Sequence, residues 1–99
     1  MKQYDLVVLG GGPGGYVAAI RAAQLGLTTA IIDQDKLGGI CLNWGCIPTK
    51  ALLKNAEVLD TVKNAKYFGI NIPSYKVDFA KTIRRSRQTS ARLSKGIDF

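Results

Sequence analysis

No histidine occurs anywhere in the 99 residues, and cysteine occurs only twice. A structural zinc site takes four nitrogen or sulfur ligands, so this residue set argues against one. No stretch approaches the 18 or so consecutive apolar residues of a membrane-crossing helix. No charged segment leads into an apolar run and a cleavage site, because strand-like sequence begins at Tyr4. The expectation is a cytoplasmic protein, where a cysteine pair is more often catalytic than structural. Acidic residues are scarce too, seven against fourteen Lys and Arg, for a net charge of +7. Lys81, Arg84, Arg85, Arg87, Arg92 and Lys95 crowd the carboxyl-terminal segment. A basic helix can bind nucleic acid or an anionic surface. Here no aromatic residues are interleaved with the charges and no nucleic-acid-binding motif is present. The expectation is a solvated outer face, with neither nucleic acid nor membrane as a partner.

What is present is ordinary in bulk, 46% hydrophobic and 21% charged, and long enough for one small domain at most. Residues 4–9, YDLVVL, read as a buried parallel strand. They run into a glycine-rich loop that carries G-x-G-x-x-G at Gly10, Gly12 and Gly15. The first glycine permits a tight turn, the second lets backbone approach a pyrophosphate, and the third lets the following helix pack closely on the strand. That helix is predicted over residues 16–25, with Ala18, Ala19, Ala22 and Ala23 as a thin packing face and Gly26 as its cap. Its amino terminus would face the phosphate charge. Residues 28–32, TTAII, form the second predicted strand and end at Asp33, where the dinucleotide fingerprint places an acid that bonds ribose hydroxyls. The motif physics does not distinguish FAD from NAD.

Both cysteines lie in residues 38–50, GGICLNWGCIPTK. In a regular helix, residues five apart have Cα atoms about 8–9 Å apart, whereas a disulfide needs about 4.4–6.8 Å. A bridge between Cys41 and Cys46 therefore requires a distorted turn. Gly45 offers the backbone freedom, and Pro48 lacks the amide that would bond back to the Trp44 carbonyl. So short a loop gains little stability from a bridge, whereas a redox catalyst uses a bridge that reduces easily. Two separate buried thiols remain an alternative on spacing alone.

Taken with its neighbours, GGICLNWGCIPTK resembles the redox-active disulfide signature of the flavin-dependent pyridine nucleotide–disulfide oxidoreductases, G-G-x-C-x-x-x-x-C-[IV]-P-x-K. The glycine motif upstream stands at the distance that family requires. The LNxGCIP-[ST]-KALL version is similar to the branch that oxidises dihydrolipoamide; glutathione and mercuric reductases show a valine-rich VNVGCVP and remain the alternative. The resemblance implies a Cys41–Cys46 redox disulfide, with Cys46 beside the flavin ring and Cys41 exchanging with substrate. It implies that Gly10, Gly12, Gly15 and Asp33 hold the ADP half of FAD, that Gly38 and Gly39 let backbone pass close to the cofactor, and that Lys50 brings its cation toward the flavin. It implies NAD as electron acceptor at a site beyond this chain, a lipoyl domain of a 2-oxoacid dehydrogenase or glycine cleavage complex as partner, and a homodimer. The family's catalytic base is a histidine paired with a glutamate, contributed across the dimer interface, and this chain holds no histidine.

The fold expected is α/β: the first β-α-β of a doubly wound, Rossmann-like FAD-binding domain, then one long redox-cysteine helix from Cys41 to about Lys66. Residues 1–99 would be the amino-terminal part of that domain, without the NAD, central and dimerisation domains. A short non-catalytic nucleotide-binding module is the other reading. Leu52, Ala56, Leu59 and Lys63, flanked by Leu53 and Val62, mark the expected core stripe of the long helix. Trp44 is expected to pack. Gly69 ends the helix, Asp78 is the expected N-cap of a last helix, and Phe79, Ile83, Ser86, Ser90, Leu93 and Ile97 form that helix's expected inner stripe.

Overall fold

Two short strands paired in parallel build the amino-terminal half of the computed structural model, which describes residues 1–98. β1 (Leu6–Leu9) leads into α1 (Pro13–Gln24) and returns as β2 (Thr29–Ile32), with Leu6 opposite Thr29 and Leu9 opposite Ile32. This is the expected β-α-β unit, with each strand starting later than predicted. The reason lies at the entry: the Asp5 amide donates to the Thr28 carbonyl at 2.8 Å, while the Thr28 amide donates to the Asp5 carboxylate at 2.8 Å. A side chain there replaces the next rung of the backbone ladder. β1 was also expected to be buried on both faces. Instead Leu6 and Val8 are half-buried, while Val7 and Leu9 are exposed, Leu9 at 86%. Only the face toward α1 is covered.

α1 starts three residues ahead of the predicted position because Pro13 takes the first helical turn, where its preset φ fits and its missing N–H costs nothing. Ala19 and Ala22 form its buried face. The helix ends in a Schellman motif at Gly26, whose φ is +86°: the Gly26 amide donates to the Ala23 carbonyl at 3.0 Å and the Leu27 amide to the Ala22 carbonyl at 3.1 Å.

The long cysteine helix is two helices, not one. α2 (Gly39–Trp44) and α3 (Cys46–Lys63) are separated by Gly45, whose φ of −126° and ψ of −109° lie outside the helical region. The predicted distortion is thus a full break, placed where Pro48 leaves the Trp44 carbonyl without its helical donor. The far end differs as well, since α3 stops at Lys63 and a 3-10 turn, Ala65–Phe68, continues to Gly69. Gly69 closes that turn at φ +74°.

α4 (Phe79–Asp98) lies antiparallel along α3 and continues past α2, as its bonds show: Thr82 meets Asn55, Arg85 meets Ala51 and Arg87 meets Asn43. Asp78 caps it as expected, its carboxylate accepting the Lys81 amide at 2.9 Å. The packed stripes are each rotated slightly from prediction. On α3, Ala51 is buried and Asn55, Leu59 and Val62 are half-buried, whereas Leu52 and Ala56 line an open apolar groove of about 500 Å³ shared with Tyr75, Val77 and Phe79. On α4, Ser86, Ser90 and Ser94 are buried four residues apart, and Leu93 is not. Small side chains at that spacing let helices approach closely; Ser86 donates to the Ile83 carbonyl at 2.9 Å and Ser94 to the Leu37 carbonyl at 2.7 Å, while the buried Ser90 hydroxyl has no partner among the described residues.

The result is long and thin, 68 × 25 × 17 Å with a radius of gyration of 19.7 Å, against about 13 Å for a compact domain of this length. The core is correspondingly small, with Ala19, Ala22, Leu42, Ala51 and Ala65 its buried apolar residues.

Candidate functional site: a glycine loop joined to a bridged cysteine pair

The glycine loop sits where the strands end. Gly10, at φ +104°, turns the chain out of β1, and its amide donates to the Ile32 carbonyl at 2.7 Å. A Cβ on Gly15 would run into the Gly10 carbonyl oxygen and come within 3.4 Å of Val8, so the close helix-on-strand approach predicted for the third glycine is present. Gly12 has extended backbone open to any residue, and a Cβ there would meet no atom of the chain within 4 Å. Neither strain nor packing against the chain requires glycine at that position. A bound group lying against the backbone would. No acidic residue stands in the first turn of α1 to offset its positive end. Leu9, Gly10, Ile32, Asp33 and Gln34 line a cleft of about 350 Å³ beyond the carboxyl ends of both strands, the usual ligand position in open α/β sheets. These features fit the ADP portion of a dinucleotide.

Asp33 is more tied down than its expected role requires. One carboxylate oxygen accepts the Gly11 amide at 2.6 Å and the other accepts the Asp35 amide at 2.9 Å. The Asp35 and Gly11 amides hold its pKa below the ordinary value of 3.8. Asp33 is therefore a staple for the glycine loop, and its two oxygens still retain lone pairs for ribose hydroxyls. Because the folded pKa is the lower one, the stabilisation is present above the ordinary carboxylate range and is lost as pH falls through the folded value. Asp33→Asn is expected to remove that acid-side dependence. Denaturant midpoints measured as a pH series for both proteins check this, and parallel curves would count against the staple.

The second glycine pair docks on the first. The Gly38 amide donates to the Gly11 carbonyl at 2.7 Å, and a Cβ on Gly39 would stand 2.7 Å from the Gly12 Cα. Gly39, at φ +63°, begins α2. The helix bearing Cys41 thus starts in contact with the loop that would carry phosphate.

Cys41 and Cys46 are bridged, with Cα atoms 4.5 Å apart, about half the regular-helix separation. Gly45 makes this possible: a Cβ there would lie 3.0 Å from the Ile40 carbonyl oxygen and 3.2 Å from the Cys41 Cα. Cys41 is half-buried, while Cys46 is exposed as the first residue of α3. A thiolate released at Cys46 would sit at the positive end of an 18-residue helix, an arrangement that favours the charged form. Lys50 follows one turn later on the same face and is exposed. Trp44, expected to pack, is 52% exposed beside the bridge.

Several residues that hold this site had no role in the sequence reading. Asn43 is buried, and its amide donates to the carbonyls of Leu37 at 3.2 Å and Gly39 at 3.0 Å. Ser94 donates to the same Leu37 carbonyl at 2.7 Å. Arg87 donates to the Asn43 carbonyl at 3.2 Å, and Arg85 donates to the Ala51 carbonyl at 3.0 Å and to Asn55 at 2.7 Å. Two of the six cations assigned to a solvated face therefore reach inward. Position on the helical wheel gave no signal for this, because long side chains at the edge of a stripe can turn either way.

A strand–glycine loop–helix unit joined to a bridged cysteine pair is the arrangement of a dinucleotide-dependent disulfide oxidoreductase. The family model described as pyridine nucleotide-disulphide oxidoreductase matches residues 4–99, and the chain belongs to that family. Among similar proteins, a dihydrolipoyl dehydrogenase of Rhizobium etli is 58% identical over 99 residues, covering 99% of this chain and 21% of the relative. A dihydrolipoyl dehydrogenase of Chlorobaculum tepidum is 52% identical over 97 residues, covering 98% of this chain and 21% of the relative. One of Bacillus subtilis is 51% identical over 96 residues, covering 97% and 20% respectively. The chain spans about a fifth of the length of these relatives.

Proposed function

We propose that residues 1–99 form the amino-terminal part of the FAD-binding domain of an enzyme that oxidises protein-bound dihydrolipoamide to lipoamide, with NAD as final acceptor. The observation that carries the proposal is the Cys41–Cys46 bridge between α2 and α3, with the first residue of α2 against the glycine loop that would carry phosphate. The names of the relatives support the substrate. In this proposal Gly10, Gly12 and Gly15 hold the pyrophosphate, Asp33 reaches the ribose, and Gly38 and Gly39 keep the redox helix close to the cofactor. The half-buried Cys41 sulfur accepts attack by a substrate thiolate, and a mixed disulfide forms while the Cys41–Cys46 bond breaks. The second substrate thiol then attacks its own sulfur of the mixed disulfide. Cyclic lipoamide leaves, and two electrons remain on Cys41 and Cys46. Bound FAD supplies the route by which those two electrons reach NAD as a hydride.

The helix terminus supports the Cys46 thiolate and the Lys50 cation adds to that support. The substrate dithiol needs a base to become the attacking thiolate; by family resemblance this is a histidine of a partner subunit, in a homodimer. A lipoyl domain of a 2-oxoacid dehydrogenase or glycine cleavage complex as physiological partner, and a cytoplasmic location, belong to the same proposal. The test is NADH formation by the full-length protein supplied with dihydrolipoamide. Turnover supports the proposal. Reduction of glutathione disulfide in place of lipoamide turnover would move the protein to another branch, and no thiol-linked turnover at all would end the enzymatic reading.

A further inference from the structure

Reduction of the Cys41–Cys46 bridge leaves α2 and α3 joined through Gly45, a residue with wide conformational freedom, and through their own packing. A third element can restrain the separation of the two sulfurs further. α4 touches both sides of that joint. Arg87 donates to the Asn43 carbonyl in the last turn of α2, where the helix carbonyls have no intrahelical donor. Two residues earlier, Arg85 donates to the Ala51 carbonyl and the Asn55 side chain of α3. Ser94 holds the Leu37 carbonyl that Asn43 also holds, tying the start of α2 to the same helix. A charged donor on a helix carboxyl terminus interacts favourably with the dipole as well as the carbonyl.

We propose that Arg87, supported by Arg85 and Ser94, is a positioning residue of the redox centre. By holding α2 to α4 while α3 is held to the same helix, it restrains the separation of the two thiols after reduction. This rests on the redox reading of the bridge given above. The exchange itself is balanced: an external dithiol gives up two protons and two electrons and closes its own disulfide, while the bridge opens to two thiols. Restraint lowers the entropy of the open dithiol form, raises the effective concentration of one thiol at the other, and so favours the closed bridge. Removing the restraint shifts the equilibrium toward the dithiol.

The test equilibrates full-length FAD-loaded protein with graded mixtures of reduced and oxidised dithiothreitol. After acid quenching and alkylation, the trapped thiols on Cys41 and Cys46 are counted by mass. Arg87→Met is expected to shift the equilibrium toward the dithiol by about five- to tenfold, the scale of one net intramolecular hydrogen bond, and Arg87→Lys is expected to restore much of it. Arg84→Met, on the same helix with no bond to α2 or α3 recorded among the described residues, is the control and is expected to match the parent protein. An equilibrium within twofold of the parent in folded Arg87→Met overturns the proposal, and so does an equal shift in Arg84→Met. If Arg87→Met does not fold, Arg87→Lys and Ser94→Ala decide: a shift toward dithiol in Ser94→Ala supports the clamp, and no change in either overturns it. A parent protein that fails with dihydrolipoamide, yet whose bridge opens and shifts in Arg87→Met, sinks the substrate proposal and leaves this one standing. A parent bridge that no dithiol opens sinks both.

Discussion

Gly15→Ala is expected to strip the full-length protein of its FAD, while Gly14→Ala, one position earlier in the same loop, is expected to leave it loaded. The added atom is a single methyl carbon in both. At Gly14 it meets nothing within 4 Å, whereas at Gly15 it runs into the Gly10 carbonyl oxygen, which belongs to the backbone and cannot rotate away. Gly14 also lies inside α1, where alanine is favoured over glycine by about 1 kcal/mol. Overpacking costs about 1–3 kcal/mol, at times more, and here relief requires α1 to move off β1 or Gly10 to leave its turn. Either movement displaces the amides that would meet the pyrophosphate. A loss of about 3 kcal/mol in binding is upwards of a hundredfold in affinity. Flavin retained after gel filtration, followed by titration with added FAD, reads the outcome. Equal FAD retention by the two variants would mean that the contact between Gly15 and Gly10 does not govern the loop.

Substituting the cysteines one at a time is expected to abolish turnover in both cases but to separate them spectroscopically. Cys41→Ser and Cys46→Ser each remove a reacting sulfur, a loss on the order of 10⁴-fold or more by analogy with other covalent catalytic groups. Cys46 is the exposed sulfur at the head of α3, with Lys50 one turn away. The family resemblance puts it beside the flavin, where its thiolate gives long-wavelength absorbance on partial reduction. Cys46→Ser is expected to lose that absorbance, and Cys41→Ser is expected to keep it because the thiolate beside the ring remains. Survival of the absorbance in Cys46→Ser would reverse the assignment of the two sulfurs.

The local features of the site were open to sequence reasoning because each depends on short-range geometry. Two glycine motifs, an acid at the end of β2 and a cysteine spacing that a regular helix cannot bridge each carry their own physical requirement. The structure shows the Gly15–Gly10 approach and the break at Gly45, and it adds to Asp33 bonds with the Gly11 and Asp35 amides that the fingerprint did not foretell. Legibility failed where a residue answers to a partner far along the chain. Asn43 looked like filler between motif positions, and Arg87 like one cation among six. Their shared contact joins residues 44 apart in sequence, and no local rule announces it. The packing stripes of α3 and α4, right at Leu59, Ser86 and Ser90, drifted by one position elsewhere for a related reason. The expected stripes passed through the large Leu52 and Leu93, whereas close helix approach selected their small neighbours Ala51 and Ser94. The apolar Leu52 was left lining a groove instead.

That distant contact also imposes an order of events during synthesis. Cys41 and Cys46 are close in sequence, so their sulfurs can meet as soon as both have left the ribosome. Arg87 is made 44 residues after the Asn43 carbonyl it holds, which at about 5–20 residues per second is a delay of about 2–9 seconds. For that interval the cysteines are free of the arginine clamp. Their redox history in the nascent chain therefore begins before their final geometry exists, and α4 sets that geometry only when it arrives.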